Sequence, residues 1–112
     1  MVDIDNNTIV VWAEREASNQ KTITNGTGAS SNNSKVYSGA VYVYTRSGTS
    51  WSQQSYIKSS NNDANDNFGY SMSIDGDTLA VSAQGEDSNQ NTITNGSTSS
   101  NDNSAANSGA VY

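Results

Sequence analysis

The sequence predicts an all-β chain of repeated four-stranded antiparallel units, about one and a half of them present. Three observations carry that reading. Residues 4–42 (IDNNTIVVWAEREASNQKTITNGTGASSNNSKVYSGAVY) recur without a gap as residues 74–112 (IDGDTLAVSAQGEDSNQNTITNGSTSSNDNSAANSGAVY), at a constant offset of 70. The apolar residues gather into short runs that alternate in size or polarity, as strands with two distinct faces require. Those runs are separated by Gly, Asn, Asp and Ser clusters, which punctuate strands.

Each element follows from its own residues. Ile4 ends a first strand, Asn6-Asn7 makes a turn, and residues 8–13 (TIVVWA) return as a second strand. Residues 14–37 form a polar loop of a length that is usually functional or carries small structure of its own. Its Thr-Ile-Thr-Asn-Gly at 22–26 predicts a minor hairpin or an ordered turn projecting from the sheet. Residues 38–45 (SGAVYVYT), rich in β-branched and aromatic side chains, are a third strand. Residues 46–50 turn, and residues 51–58 (WSQQSYIK) are a fourth strand, with Lys58 near its end as edge strands often have. Residues 59–67 link to the next unit.

The second unit repeats the plan. Residues 68–74 (FGYSMSI) alternate larger and smaller side chains, Asp75-Gly76 is a strong hairpin signal, and residues 78–83 (TLAVSA) return. The long loop recurs at 84–107, with Thr-Ile-Thr-Asn-Gly at 92–96 and a mobile tail expected over 97–107. A third strand then begins. This divides the chain into partial units 1–66 and 67–112. Four antiparallel strands at even spacing, with no helix, is the layout of a β-propeller blade.

Asp66-Asn-Phe-Gly-Tyr-Ser at 66–71, Ile-Asp-Gly-Asp-Thr-Leu-Ala-Val at 74–81 and Ser-Gly-Ala-Val-Tyr-Val-Tyr at 38–44 together resemble FG-GAP repeats. Such repeats build the β-propeller of integrin alpha chains and of many bacterial surface proteins. Phe68-Gly69 stands where the family has its Phe-Gly, and Ser82-Ala83-Gln84 where it has Gly-Ala-Pro. The resemblance implies a non-enzymatic propeller segment of an extracellular or cell-surface bacterial protein, a scaffold for adhesion or ligand binding through its long loops. Neighbouring blades, from the same longer chain or from other copies, are the implied partners, with a protein or carbohydrate ligand. Many family blades hold calcium in an Asp-rich hairpin loop. Here that hairpin is reduced to Asp75-Gly76-Asp77 and Asp5-Asn6-Asn7, shorter than a loop that wraps a cation in about six or more oxygens.

Composition narrows the chemistry. Ser fills 20 positions and Asn 16, hydrophobic residues are 32 %, and His and Cys are absent. Disulfides, thiolate nucleophiles, imidazole bases and the usual zinc sites are therefore excluded. A net charge of −6, with five dispersed basic residues, disfavours nucleic acid and anionic membrane. No apolar run reaches the roughly 20 residues of a membrane span, and residues 1–10 do not read as a signal peptide.

Candidate sites are few. Asp75 and Asp77, with Asp3 and Asp5, are carboxylates at alternate positions that suit a Ca2+ site, although turn chemistry explains them first. Glu86 and Asp87, and Glu16, open the long loops and are better placed for a weak cation site. Asp63 and Asp66 read as an Asx-turn entering a strand. Serines are plentiful but have no base to activate them, so no catalytic or cofactor-binding residue is assigned. Trp12, Tyr37, Tyr42, Tyr44, Trp51 and Tyr56 suit either a sugar-stacking surface or inter-blade packing, which blades need from such residues. The sequons at Asn6, Asn25, Asn32 and Asn95 are what chance provides in a chain this rich in Asn and Ser. Two alternatives to the adhesion scaffold remain: a purely structural repeat or self-assembling blade fragment, and, further off, part of a propeller enzyme such as a glycosidase.

Overall fold

A computed structural model describes residues 1–112 as eight strands without a helix. They are β1 (Val2–Asp5), β2 (Thr8–Ala13), β3 (Thr24–Asn25), β4 (Ala40–Ser47), β5 (Ser50–Ile57), β6 (Phe68–Asp75), β7 (Thr78–Ala83) and β8 (Ala110–Val111). The first five form one antiparallel sheet in the order β1-β2-β4-β5-β3, and the rest a second in the order β6-β7-β8. Each sheet is thus a blade-like meander, the first with its four strands plus one added strand, the second with three. No helix is long and apolar enough to cross a membrane.

Local structure departs from the sequence reading at four places, each for a definable reason. The β6–β7 turn is Gly76-Asp77, one residue later than Asp75-Gly76, because Asp75 pairs with Thr78. Asn6-Asn7 closes β1–β2 in the same register, and Asn6 (φ 50°) and Gly76 (φ 55°) both sit in the left-handed region that Asn and Gly enter cheaply. The Thr-Ile-Thr-Asn-Gly of the first loop does not project: Thr24 and Asn25 pair with Tyr56 and Ser55 along the outer edge of β5. Lys58 is consequently no edge guard, and only 3 % of it is exposed. Finally, the tail of the second loop is tied down, with Asp87 accepting from the backbone of Ala105 and Asn107.

The core lies between the two sheets. Val10 and Val41 from the first meet Phe68, Met72, Val81 and Ala83 from the second, flanked by half-buried Trp12, Val43, Ile57, Ile74, Leu79 and Tyr112. Burying one such side chain fully contributes about 1.5–3 kcal/mol. Val43 and Tyr42 point to opposite faces of β4. Val81 and Tyr112, which face the core in the second unit, are the 70-residue counterparts of Val11 and Tyr42, which lie on the far face of the first. The second sheet therefore lays on the first the same face that the first turns away from it. That is the stacking rule of repeat architectures, in which a face is buried only by the next unit.

Two features lock the sheets. Gly69 (φ 99°) brings its backbone so close that an added Cβ would lie 2.4 Å from Trp12 Cδ1. Trp12 in turn meets the Tyr70 ring edge-on at 5.6 Å. Asp3 and Asp5 accept hydrogen bonds across the interface from the backbone N–H of Ile74 (2.9 Å) and Gly76 (2.8 Å).

Candidate functional site

The two long loops and the linker between the units meet at one end of the sheets. Gln20 fixes the first loop by donating to Thr22 O (3.0 Å) and Thr24 Oγ1 (2.7 Å). Gln90 does the same for Thr92 and Thr94 in the second. Asn32 Oδ1 gathers the amides of Asn19 and Ser34, and Asp102, its 70-residue counterpart, gathers those of Asn89 and Ser104. The Ser104 hydroxyl first, and then those two amides, hold Asp102 below the usual carboxylate range. Between the loops, Lys21 Nζ reaches Asn101 Oδ1 at 3.3 Å, and from the linker Ser60 bonds Ser99. Ile23 and Ile93, equivalent in the two loops, remain exposed at 59 % and 90 %.

Beneath the first loop lies a buried charged centre. Lys58 donates to Glu16 Oε2 (2.7 Å), Ser38 Oγ (2.7 Å) and Gly39 O (2.6 Å), which uses all three of its N–H groups. Glu16 also accepts from the Ser18 amide at 2.9 Å. Ser38 Oγ donates in turn to the carbonyls of Glu16 and Ser18. Burial pushes the Lys58 ammonium below the ordinary lysine range, against the pull of the Glu16 carboxylate.

The second unit repeats this frame with a different donor. Glu86, 3 % exposed, accepts from the Ser88 amide (3.0 Å) and from Asn61 Nδ2 (2.8 Å). Ser108 Oγ donates to the carbonyls of Glu86 and Ser88, as Ser38 does to theirs. The Asn61 amide is oriented by Tyr112, whose hydroxyl donates to Asn61 Oδ1 at 2.5 Å. Burial, then the Glu86 charge, raise the Tyr112 phenol to about 12.

The linker carries two carboxylates shifted in opposite directions. Asp63 pairs with Lys35 at 2.5 Å and, chiefly through that bond and the Ala64 amide, falls to about 2. Asp66 is buried and accepts from the Asp63 amide at 2.7 Å. Burial, reinforced by the charges of Asp63, Glu86 and Asp87, raises it to about 6.

The candidate metal ligands are dispersed. Asp75 and Asp77 are exposed at the β6–β7 hairpin, while Glu86 is buried beneath the second loop and Asp87 is half-buried beside it. Asp3 and Asp5 serve as inter-sheet acceptors, and no group of three acidic side chains is arranged to hold a metal ion. Of the aromatics, Tyr56 is fully buried, and Tyr42 packs between Tyr56 (5.1 Å) and Tyr44 (6.5 Å). Trp51 lies under Arg46 and Tyr37 under Arg15.

The Phe-Gly at the inter-sheet contact and the repeated hairpins meet a known pattern: the FG-GAP repeat model matches residues 51–112, more than half of the chain. The chain belongs to the FG-GAP repeat family. No curated protein and no solved structure matches it. The matched stretch runs from within β5 to Tyr112 and spans Lys58, the linker, Phe68-Gly69 and Glu86. The FG-GAP Phe-Gly has a clear physical role here: Phe68 fills the core while Gly69 admits the Trp12 ring.

Sequence reasoning missed the Lys58–Glu16 centre and the buried amides of Asn61 and Asn62. One signal was available. Glu16 and Glu86 are identical between the copies although both neighbours of each differ, Arg15 and Ala17 against Gly85 and Asp87.

Proposed function

We propose that this FG-GAP segment is a non-enzymatic scaffold of an extracellular or cell-surface protein, presenting its two Asn/Ser/Thr-rich loops for adhesion or ligand binding. The observation that carries this is the fixing of both loops side by side into one polar surface, with Ile23 and Ile93 left exposed on it. Isolated apolar groups on a hydrogen-bonding surface suit a protein or carbohydrate ligand, which needs both kinds of contact. Family membership supports the non-enzymatic part of the reading. The test is binding of the chain to a glycan array and to immobilised extracellular-matrix proteins, beside the Ile23→Asp/Ile93→Asp double variant. A bound class lost in the variant, with unchanged thermal unfolding, is the expected result. No binding anywhere, or binding indifferent to the variant, overturns the proposal.

A second reading has its own support. Ser18, Ser38, Asn61 and Asn62 are buried, and the linker residues Asn62 and Asn61 bond the first and the second loop, so the loops also act as mortar between blades. On a purely structural role, shortening residues 26–31 or 96–101 lowers stability and changes no binding.

A further inference from the structure

The linker is the seam between the two units, and its two sides are held unequally. Towards the first loop, Asn62 Nδ2 donates to the carbonyls of Ser18 (2.7 Å) and Gln20 (3.0 Å). The amides of Asn65 and Asn67 donate to Val36 O (2.9 Å) and Tyr37 O (3.0 Å), and Lys35 adds its ion pair with Asp63. Towards the second loop the linker backbone makes one bond, accepted by Asp66 O from the Gly85 amide at 3.0 Å. The fit there is close, since a Cβ on Gly85 would lie 2.1 Å from Asn65 O. Asp66 sits at that contact. It is 3 % exposed, its one donor is the Asp63 amide, and neither Lys nor Arg pairs with it. Three like charges bear on it: Asp63 from the linker, and Glu86 and Asp87 from the opening of the second loop. Asp63 is already answered by Lys35. Lys58, just past β5, attracts the Asp66 carboxylate, but its ammonium is committed to Glu16, Ser38 and Gly39. Tyr112, at the end of β8, also feels Asp66 and donates its proton to Asn61.

We propose that the seat of the linker on residues 84–88 is a latch worked by the Asp66 proton, closed while Asp66 is neutral and released on the second-loop side when it ionises. A buried neutral carboxyl needs no counter-charge, whereas an ionised one with a single donor must be paired or reach water. Apart from Asp63, the acids that bear on Asp66 belong to the second loop, so the side that parts is theirs. The bonds of Asn62, Asn65 and Asn67 keep the linker on the first loop. Burial first, and then those charges, keep Asp66 protonated up to about pH 6, while in the open latch it titrates near the ordinary 3.8. Between these values each pH unit multiplies opening about tenfold, about a hundredfold in all, with a plateau above. The latch concerns the seam between the units and does not rest on the loop-surface reading.

Amide hydrogen exchange of the chain, followed by NMR from about pH 4 to 8, reads the latch at Gly85, whose N–H is held by Asp66 O. After correction for the intrinsic rate, the Gly85 opening constant should rise about a hundredfold from about pH 4 to 6 and then level off. Asn65 and Asn67, tied to the first loop, and the strand amides of β4 should open about tenfold less often than Gly85 at neutral pH, or more rarely still. Asp66→Asn should keep Gly85 at its low-pH value throughout. Asp87→Asn, which removes one facing charge, should move the rise to lower pH. A flat Gly85 profile in the parent overturns the proposal, as does a rise that persists in Asp66→Asn. Gly85 opening no more often than Asn67 also overturns it, because the linker then leaves with the loop or the whole fold opens. If Asp66→Asn fails to fold, the parent profile and Asp87→Asn still decide.

Discussion

Removing the Lys58 ammonium tests the centre of this structure most directly. The Lys58 side chain is 0 % exposed and that of Glu16 11 %. Lys58→Met keeps the aliphatic length but deletes three charge-assisted hydrogen bonds, leaving Glu16 with the Ser18 amide and a little solvent. Breaking a buried pair from one side costs about 3–5 kcal/mol. The partial exposure of Glu16 places this variant near 3, which is on the order of a hundredfold in the folding equilibrium. With an m-value of about 1–3 kcal/mol/M, the urea midpoint should fall by about 1 M or more. Adding Glu16→Gln to Lys58→Met removes the stranded charge and should recover about 1 kcal/mol or more. The sign against pH follows from the depressed Lys58 value. Between that value and 10.5 the unfolded chain binds the proton and the folded chain does not, so this residue's contribution rises with pH across the window. The buried tyrosines act oppositely above pH 10, so the parent is compared with Lys58→Met, which lacks the rise. A variant within about 0.5 kcal/mol of the parent, the spread usual for surface substitutions, or a double variant no better than the single, refutes the reasoning.

Two further predictions follow from named contacts. Asp66, raised to about 6, loses its proton on the folded chain later than on the unfolded one, so stability falls as pH climbs from about 4 to 6. Asp66→Asn, which still accepts from the Asp63 amide, should add about 2 kcal/mol at pH 7 and flatten that slope in urea titrations; an unchanged slope refutes it. Below pH 4 the sign reverses through Asp63, held at about 2 by Lys35, so the parent should be most stable near pH 4. Gly69→Ala places a Cβ 2.4 Å from the Trp12 ring at a φ of 99° and should cost about 3 kcal/mol by thermal or urea unfolding, with near-parental stability as the refuting outcome.

Much of the fold was legible because its signals are local. Residues 8–13 and 78–83 announce their strands by alternation and β-propensity, and the structure places β2 and β7 on those residues. The two-residue turns follow from which residues tolerate a positive φ, although the register of Asp75 against Thr78 moved one of them by a position. Glu16 and Glu86 were visible as loop-opening acids but not as the floors of two related cradles, since Lys58 lies 42 residues from Glu16 and Asn61 lies 25 from Glu86. Nothing local marks such partners.

Strand identity, the 70-residue repeat and the exclusion of thiol and imidazole chemistry are thus properties of the sequence alone, set by side-chain alternation, backbone tolerance and composition. Tertiary structure alone decided which carboxylates meet an ammonium, which meet an amide, and which stay in water. It also decided that Thr24-Asn25, a turn signal in the sequence, is a strand because β5 lies beside it. The physical reason is one and the same: a strand edge or a buried charge is defined by its partner, and partners are chosen by packing across the chain rather than by neighbours along it.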